Sequence, residues 1–275
     1  MRRDIAATGL LGAAVALCVA LCVVPIIALF AQAPLGDLIH VLSDERVTDA
    51  LKVTLRTNLI ANLLILGIGT PASWFLATRR FRGRGAVVTL LELPLVLPPA
   101  VAGIALLASF GRGGLFGDSL ASIGIILPFT EWAVVLAITF VAAPFYLRAA
   151  IAAFEAVDVA QVEVARTLGA GPMRTFMRIA LPLAASGLVA GWVLSFARGI
   201  GEFGATIVFA GSVRGHTQTL TLAVYDLLEG SFDTALALGV LLVAMSAGIL
   251  ISYKIIIAWR SSSTSPAPSA ASPST

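Results

Sequence analysis

The sequence predicts an all-α integral membrane protein with six transmembrane helices and one helix-turn-helix on the cytoplasmic side. Three observations carry this reading. The 275 residues are 59% apolar and only 12% charged, with a mean hydropathy of +0.98, more apolar surface than a soluble core of this size needs. The apolar residues fall into long runs, each near the ~20 residues that cross a hydrocarbon core. The basic residues gather in alternate loops.

The first run, about 9–31, follows Met-Arg-Arg-Asp. That start resembles a signal peptide, but the run is long and lacks a clear cleavage site, so it reads as an uncleaved first span. Cys18 and Cys22 sit four apart on one face of it. No Cys or His cluster completes a metal site, so they read as small apolar residues in lipid or in a helix contact. His40 and His216 are isolated and read as loop residues. The second run is about 52–77. The third, about 86–110, contains Pro94, Pro98 and Pro99. It is expected to be broken or kinked, because proline removes a backbone donor and neighbours must satisfy the freed carbonyls. The fourth is about 125–147.

The fifth run, about 180–210, is too long and glycine-rich for one straight helix. It is expected to end near Gly199 to Gly204, followed by irregular chain or a short re-entrant piece. Gly187 and Gly191 form a small-x-x-x-small pattern that permits close helix approach, and packing within the subunit is the expected use. The sixth run is about 234–258. Residues 1–260 thus form one transmembrane domain. Residues 261–275, rich in Ser, Pro and Ala, are expected to be a disordered tail.

The basic residues orient the spans. Arg2, Arg3, the Arg79–Arg84 loop, the loop containing Arg148, Arg166, Arg174 and Arg178, and Lys254 with Arg260 put twelve cations on one side. Arg46, Lys52, Arg56, Arg112 and Arg214 put five on the other. The richer side is cytoplasmic, and with it both termini. Basic side chains clustered at span ends rather than on one accessible face argue against nucleic-acid binding.

The loop at about 149–179 is polar and basic between very apolar segments. It reads as two short helices joined by a bend. Asp158 can cap the first, with Gln161 in a variant capping box. Gly169 falls where a left-handed terminating residue is needed. Pro172 fits the first position of a new helix. Phe154, Val157, Val164 and Leu168 fall on one face at helical spacing. A cytoplasmic amphipathic element of this kind points to a docking surface for another protein.

No Gly-x-x-x-x-Gly-Lys-Ser/Thr loop occurs, so the chain has no ATPase site of the usual kind. Gly199-Ile-Gly-Glu-Phe-Gly204 has dinucleotide-loop spacing, but it follows an apolar helix rather than a strand. It reads as a helix break with close backbone packing. Glu92, Glu131 and Glu202 lie near span ends, with no central acidic chain of the kind ion-coupled carriers use. No catalytic constellation is visible.

Arg198 and Glu202 are four apart and can pair on one helix face. Two readings stay open: an ion pair that fixes the end of span five, or a pair that lines an anion path together with Ser195 and Thr206.

The loop also carries a resemblance. Glu163, Ala165, Gly169, Ile179, Leu181 and Pro182 fit the E-A-A, G, I-x-L-P pattern of the permease subunits of ABC-type importers, with Val164 in place of the middle Ala. Pro94 to Gly103, Phe110 to Gly117, Thr139 to Arg148, Gly201 to Thr206, Phe209 to Gly211 and Thr217 to Thr219 resemble molybdate or tungstate permeases more than sulfate ones. The resemblance implies the type I ABC importer permease fold, with the loop as a coupling helix, in a bacterial or archaeal inner membrane. It implies a homodimer, two cytoplasmic ATPase subunits and an external oxyanion-binding protein. ATP and Mg would be used by the ATPase, with no cofactor bound by this chain. Coupling residues would be Glu163, Ala165, Arg166, Leu168, Gly169 and Ala170. Path residues would be Ser195, Arg198, Glu202, Thr206, Thr217 and Thr219. The implied activity is import of molybdate or tungstate by alternating access. A sulfate or thiosulfate permease and an ATP-independent secondary carrier are the alternatives.

Overall fold

The structure is a computed structural model and describes residues 2–33, 36 and 43–263, with side chains for 10–33, 36 and 43–255. Helices dominate the described residues, and no strand occurs among them. Helix α1 (Arg2–Gln32) keeps most of its apolar side chains from Leu10 onward outward. It meets the rest of the fold where Leu29 packs over Gly239.

The second span is α2 (Glu45–Thr78), capped by Asp44, which accepts from the Arg46 N–H at 2.8 Å. It begins seven residues before the apolar run does, because a cap and a charged first turn extend the helix beyond the membrane core.

The third run is two helices, α3 (Arg84–Val96) and α4 (Pro99–Phe110), bent by 116° at Leu97–Pro98. Pro99 starts α4, where its missing N–H costs nothing. The expected break is therefore present. It leaves five straight helices long enough to cross a membrane among the described residues, with the bent pair as the sixth span.

A short helix, α5 (Gly117–Ser122), precedes the fourth span, α6 (Glu131–Glu155). The sequence places that span at 125–147; the structure starts it six residues later. Phe129 has φ +62, and Thr130 caps α6 by accepting from the Ala133 N–H. Residues 125–130 therefore approach as non-helical chain.

After α7 (Val159–Thr167), the chain forms α8 (Pro172–Thr175), a π turn over Phe176–Ala180, and α9 (Leu181–Ile200). These last three pieces are one continuous rod, Pro172–Ile200. The second short helix expected of the loop is thus the foot of span five. The π turn explains the continuity. Pro182 has no N–H, and its ring would clash with the carbonyl four residues back. Leu181 instead donates five residues back, to Phe176 O, and the widened turn makes room.

Span five ends at Ile200, as expected, and a short helix α10 (Gly204–Phe209) follows. Helices α11 (Leu220–Leu228) and α12 (Phe232–Ser263) complete the chain. The remainder of the expected tail, 264–275, and His40 lie outside the described residues.

Helices α2, α6 and α9 form the core, and small residues set their spacing. A methyl on Gly191 would lie 2.7 Å from Ala149 Cβ, and one on Gly187 2.5 Å from Ala153 Cβ. The Gly187–Gly191 pattern therefore serves packing inside the subunit. Gly69 is covered by Tyr146, whose hydroxyl meets Thr70 Oγ1 at 2.6 Å.

Candidate functional site

The loop between spans four and five is built as its residues dictate. Asp158 accepts from the Ala160 N–H at 2.9 Å and starts α7. Of the capping box, the Asp158 half is the one formed among the described residues. Gly169 has φ +82. Its N–H donates to Arg166 O, and the Ala170 N–H donates to Ala165 O, both at 3.0 Å. This paired 5→2 and 6→1 closure is the Schellman motif, which needs a left-handed residue at that position. Gly171 then caps α8, with Pro172 first.

The face of α7 differs from the expected one. Val162 and Ala165 point inward and are buried, as is Phe154. Val164 and Leu168 point outward; Leu168 is 83% exposed. The helix break at Ala156–Asp158 resets the helical phase, so Phe154 does not share a face with Leu168. Ala165 is small because it packs onto its own subunit. Glu163, Arg166 and Gly169 are exposed, and Ala170 is half-buried. Met173 and Met177 add exposed apolar surface beside Leu168 in the sequence. Beneath the loop, Trp74, Phe154 and Phe176 form an aromatic cluster with centroids 5.3–6.1 Å apart.

The second region is the break between α9 and α10. Glu202 is almost fully enclosed. One carboxylate oxygen accepts from the Ala205 N–H at 2.7 Å, capping α10, and the other lies 2.6 Å from Arg198 Nη2. Its backbone carbonyl accepts from Thr221 Oγ1 at 2.7 Å. Helices α10 and α4 lie side by side with their first turns level. A methyl on Gly204 would sit 2.4 Å from Pro99 Cβ, and one on Gly103 2.6 Å from Val208 Cβ. The Gly199–Gly204 string is therefore a helix break with close backbone packing, as read from its context.

Of the expected path residues, Arg198 keeps part of its side chain exposed, at 28%. Ser195, Thr206, Thr217 and Thr219 are buried. Thr217 Oγ1 accepts from the Val213 N–H and donates to Gly211 O, and Thr219 pairs with Thr221. Ser195 Oγ and Thr206 Oγ1 are enclosed with no hydrogen-bond partner among the described residues.

Sequence reasoning missed a polar seam on α2: Thr54, Thr57, Asn58 and Asn62, all buried. Asn58 Nδ2 donates to Phe196 O at 3.0 Å, and its Oδ1 fills the space over Gly199. Thr54 Oγ1 accepts from the Leu220 N–H at 2.8 Å. The seam ties α2 to the end of α9 and to the start of α11. Its signal was present as polar residues three and four apart inside an apolar run, the mark of an interior membrane face.

The family model described as "binding-protein-dependent transport system inner membrane component" matches residues 69–262. The molybdenum transport system permease protein ModB of Mycobacterium tuberculosis (strain ATCC 25618 / H37Rv) is 43% identical over 202 residues, covering 74% of this chain and 76% of that one. The sulfate transport system permease protein CysT of Escherichia coli (strain K12) is 34% identical over 216 residues, 78% of each chain. A bacterial ABC transporter involved in the import of the acidic polysaccharide alginate shares the fold, with TM-score 0.75 and 18% identity over 93% of this chain and 96% of that one.

Proposed function

Because the chain belongs to the family of binding-protein-dependent transport system inner membrane components, we propose that it is the membrane-spanning permease subunit of an ATP-driven importer of molybdate or tungstate. It is a multi-pass membrane protein. Two copies form the pore, two cytoplasmic ATPase subunits drive it with ATP and Mg, and an external binding protein selects the oxyanion.

The observation that carries the reading is the 158–182 loop. Its Schellman bend presents Leu168 outward while Val162 and Ala165 fix it to the subunit. Exposed apolar side chains on a rigid, capped element are what a docked partner needs. Glu163, Leu168, Gly169 and Ala170 are the contact residues, Ala165 anchors the loop from behind, and Arg166 lines the cavity between the loop and α2.

The Arg79–Arg84 loop and the 158–182 loop belong to the same end of the molecule, since Arg84 pairs with Glu155 at the end of α6. This supports a cytoplasmic placement for both, and for the termini. Arg198 and Glu202, with Ser195, Thr206, Thr217 and Thr219 around the α9–α10 break, form the gate region. ATP binding favours one packing of these elements and hydrolysis returns the other.

The substrate follows the 43% identity to a molybdenum permease. Sulfate is the second reading, favoured by the 34% relative. Labelled molybdate uptake in cells with and without the chain decides between them. Uptake that needs the chain and is blocked by tungstate but not by sulfate is expected; block by sulfate moves the assignment to the sulfate branch. Uptake that persists without the ATPase subunits would instead identify a secondary carrier.

A further inference from the structure

A cavity of about 660 Å³ opens where α2 and α6 end, between the basic 79–84 loop and α7. Its apolar lining includes Trp74, Phe154 and Val162, and its cations are Arg80, Arg84 and Arg166. Glu155 is the one acid in the lining, and Arg84 engages it while donating from Nε to Leu76 O at 2.6 Å. Arg80 and Arg166 are exposed and form no ion pair with a described residue. The lining is therefore net positive, with two uncommitted guanidinium groups above an aromatic floor.

The cavity is far larger than a bare oxyanion needs. The cavity has room for on the order of twenty waters at ~30 Å³ each. Its position adds a second constraint. Phe75 and Phe81 flank it in sequence, pack in a tilted pair with ring centroids 5.9 Å apart and are 54% and 40% exposed. Trp74, in the lining near the end of α2, is of the residue type that sits at the headgroup level of a bilayer. Basic pockets between spans at that level suit lipid phosphates.

We propose that this cavity binds the headgroup of an anionic phospholipid, with its phosphate on Arg80 and Arg166 and its acyl chains running past Phe75 and Phe81. Helix α7 is one wall of the site, so an occupied cavity braces the loop from behind. The leaflet rests on the orientation proposed above; the site itself does not depend on which anion is transported.

The test uses the full chain, stripped of lipid in detergent and titrated with phosphatidylglycerol or phosphatidylcholine, with bound lipid counted by native mass spectrometry. Phosphatidylglycerol is expected to bind at least about tenfold more tightly, since each basic side chain near an anionic surface contributes roughly fivefold. The double variant Arg80→Gln/Arg166→Gln should lose about ten- to thirtyfold for phosphatidylglycerol and several-fold less for phosphatidylcholine, whose choline cation offsets its phosphate. Arg82→Gln, outside the cavity on the same loop, should retain the lipid. Unchanged thermal unfolding confirms that the double variant folds. Equal retention of phosphatidylglycerol by parent and double variant overturns the proposal. Displacement of lipid by millimolar inorganic phosphate overturns it in favour of a soluble anion. Displacement by purified ATPase subunit overturns it in favour of a protein contact. None of these readouts involves transport, so they stand or fall apart from the uptake result.

Discussion

At the residue scale, single atoms decide what Gly169 and Glu202 do. Gly169 holds φ +82 with open space around it, so its requirement is conformational rather than steric. A β-branched residue there costs about 1–2 kcal/mol in the left-handed region. Gly169→Val should insert normally yet lower ATPase co-purification and transport by roughly tenfold. Normal co-purification with normal transport would remove the loop from the coupling role. Glu202 is enclosed while Arg198 keeps partial exposure, so the two charges are not equivalent. Arg198→Gln leaves a buried carboxylate without its cation, a loss of about 3 kcal/mol or more. Glu202→Gln keeps an acceptor for the Ala205 N–H, and the freed guanidinium can hydrate. Thermal unfolding in detergent should fall further for Arg198→Gln than for Glu202→Gln; the reverse order would show that the enclosed carboxylate does not depend on Arg198 for its compensation. Uptake per molecule, measured beside it, separates the ion-pair role from a role in the path. A fall beyond the loss of protein favours the path.

At the element scale, glycine positions separate helix contacts from lipid-facing surface. A side chain at Gly191 meets Ala149 and the Tyr146 carbonyl, whereas nothing lies within 4 Å of one at Gly67. Gly191→Leu should cost about 1–3 kcal/mol through overpacking, while Gly67→Leu should leave the unfolding midpoint within error. Equal effects would mean that α6 and α9 are not in direct contact. Apolar runs made the existence of each span legible, because long runs state themselves in composition. Boundaries were less legible. Thr130 caps α6 later than hydropathy suggests, and Asp44 starts α2 earlier. The proline pair announced a break in the third run, but the 116° bend depends on what α4 packs against. The loop's caps were readable from Asp158, Gly169 and Pro172. Its outward face was not, because the phase resets at Ala156–Asp158.

At the scale of the whole molecule, the family was legible in local motifs, and their tertiary meaning appeared only in the fold. Pro98 to Gly103 and Gly201 to Thr206 are far apart in sequence, yet they are one contact, Pro99 on Gly204 and Gly103 on Val208. The α2 seam escaped notice because an apolar window averages away four polar residues that face the same way. The rod Pro172–Ile200 has a mechanical consequence. At 1.5 Å per residue its 29 residues span about 43 Å, so the bend at Gly169 and the charged pair at Arg198–Glu202 sit at opposite ends of one stiff lever. The widened turn at Phe176–Ala180 lies at the foot of this lever, beside the loop proposed to couple. A small tilt imposed at the foot therefore arrives at the far tip amplified by the length of the arm.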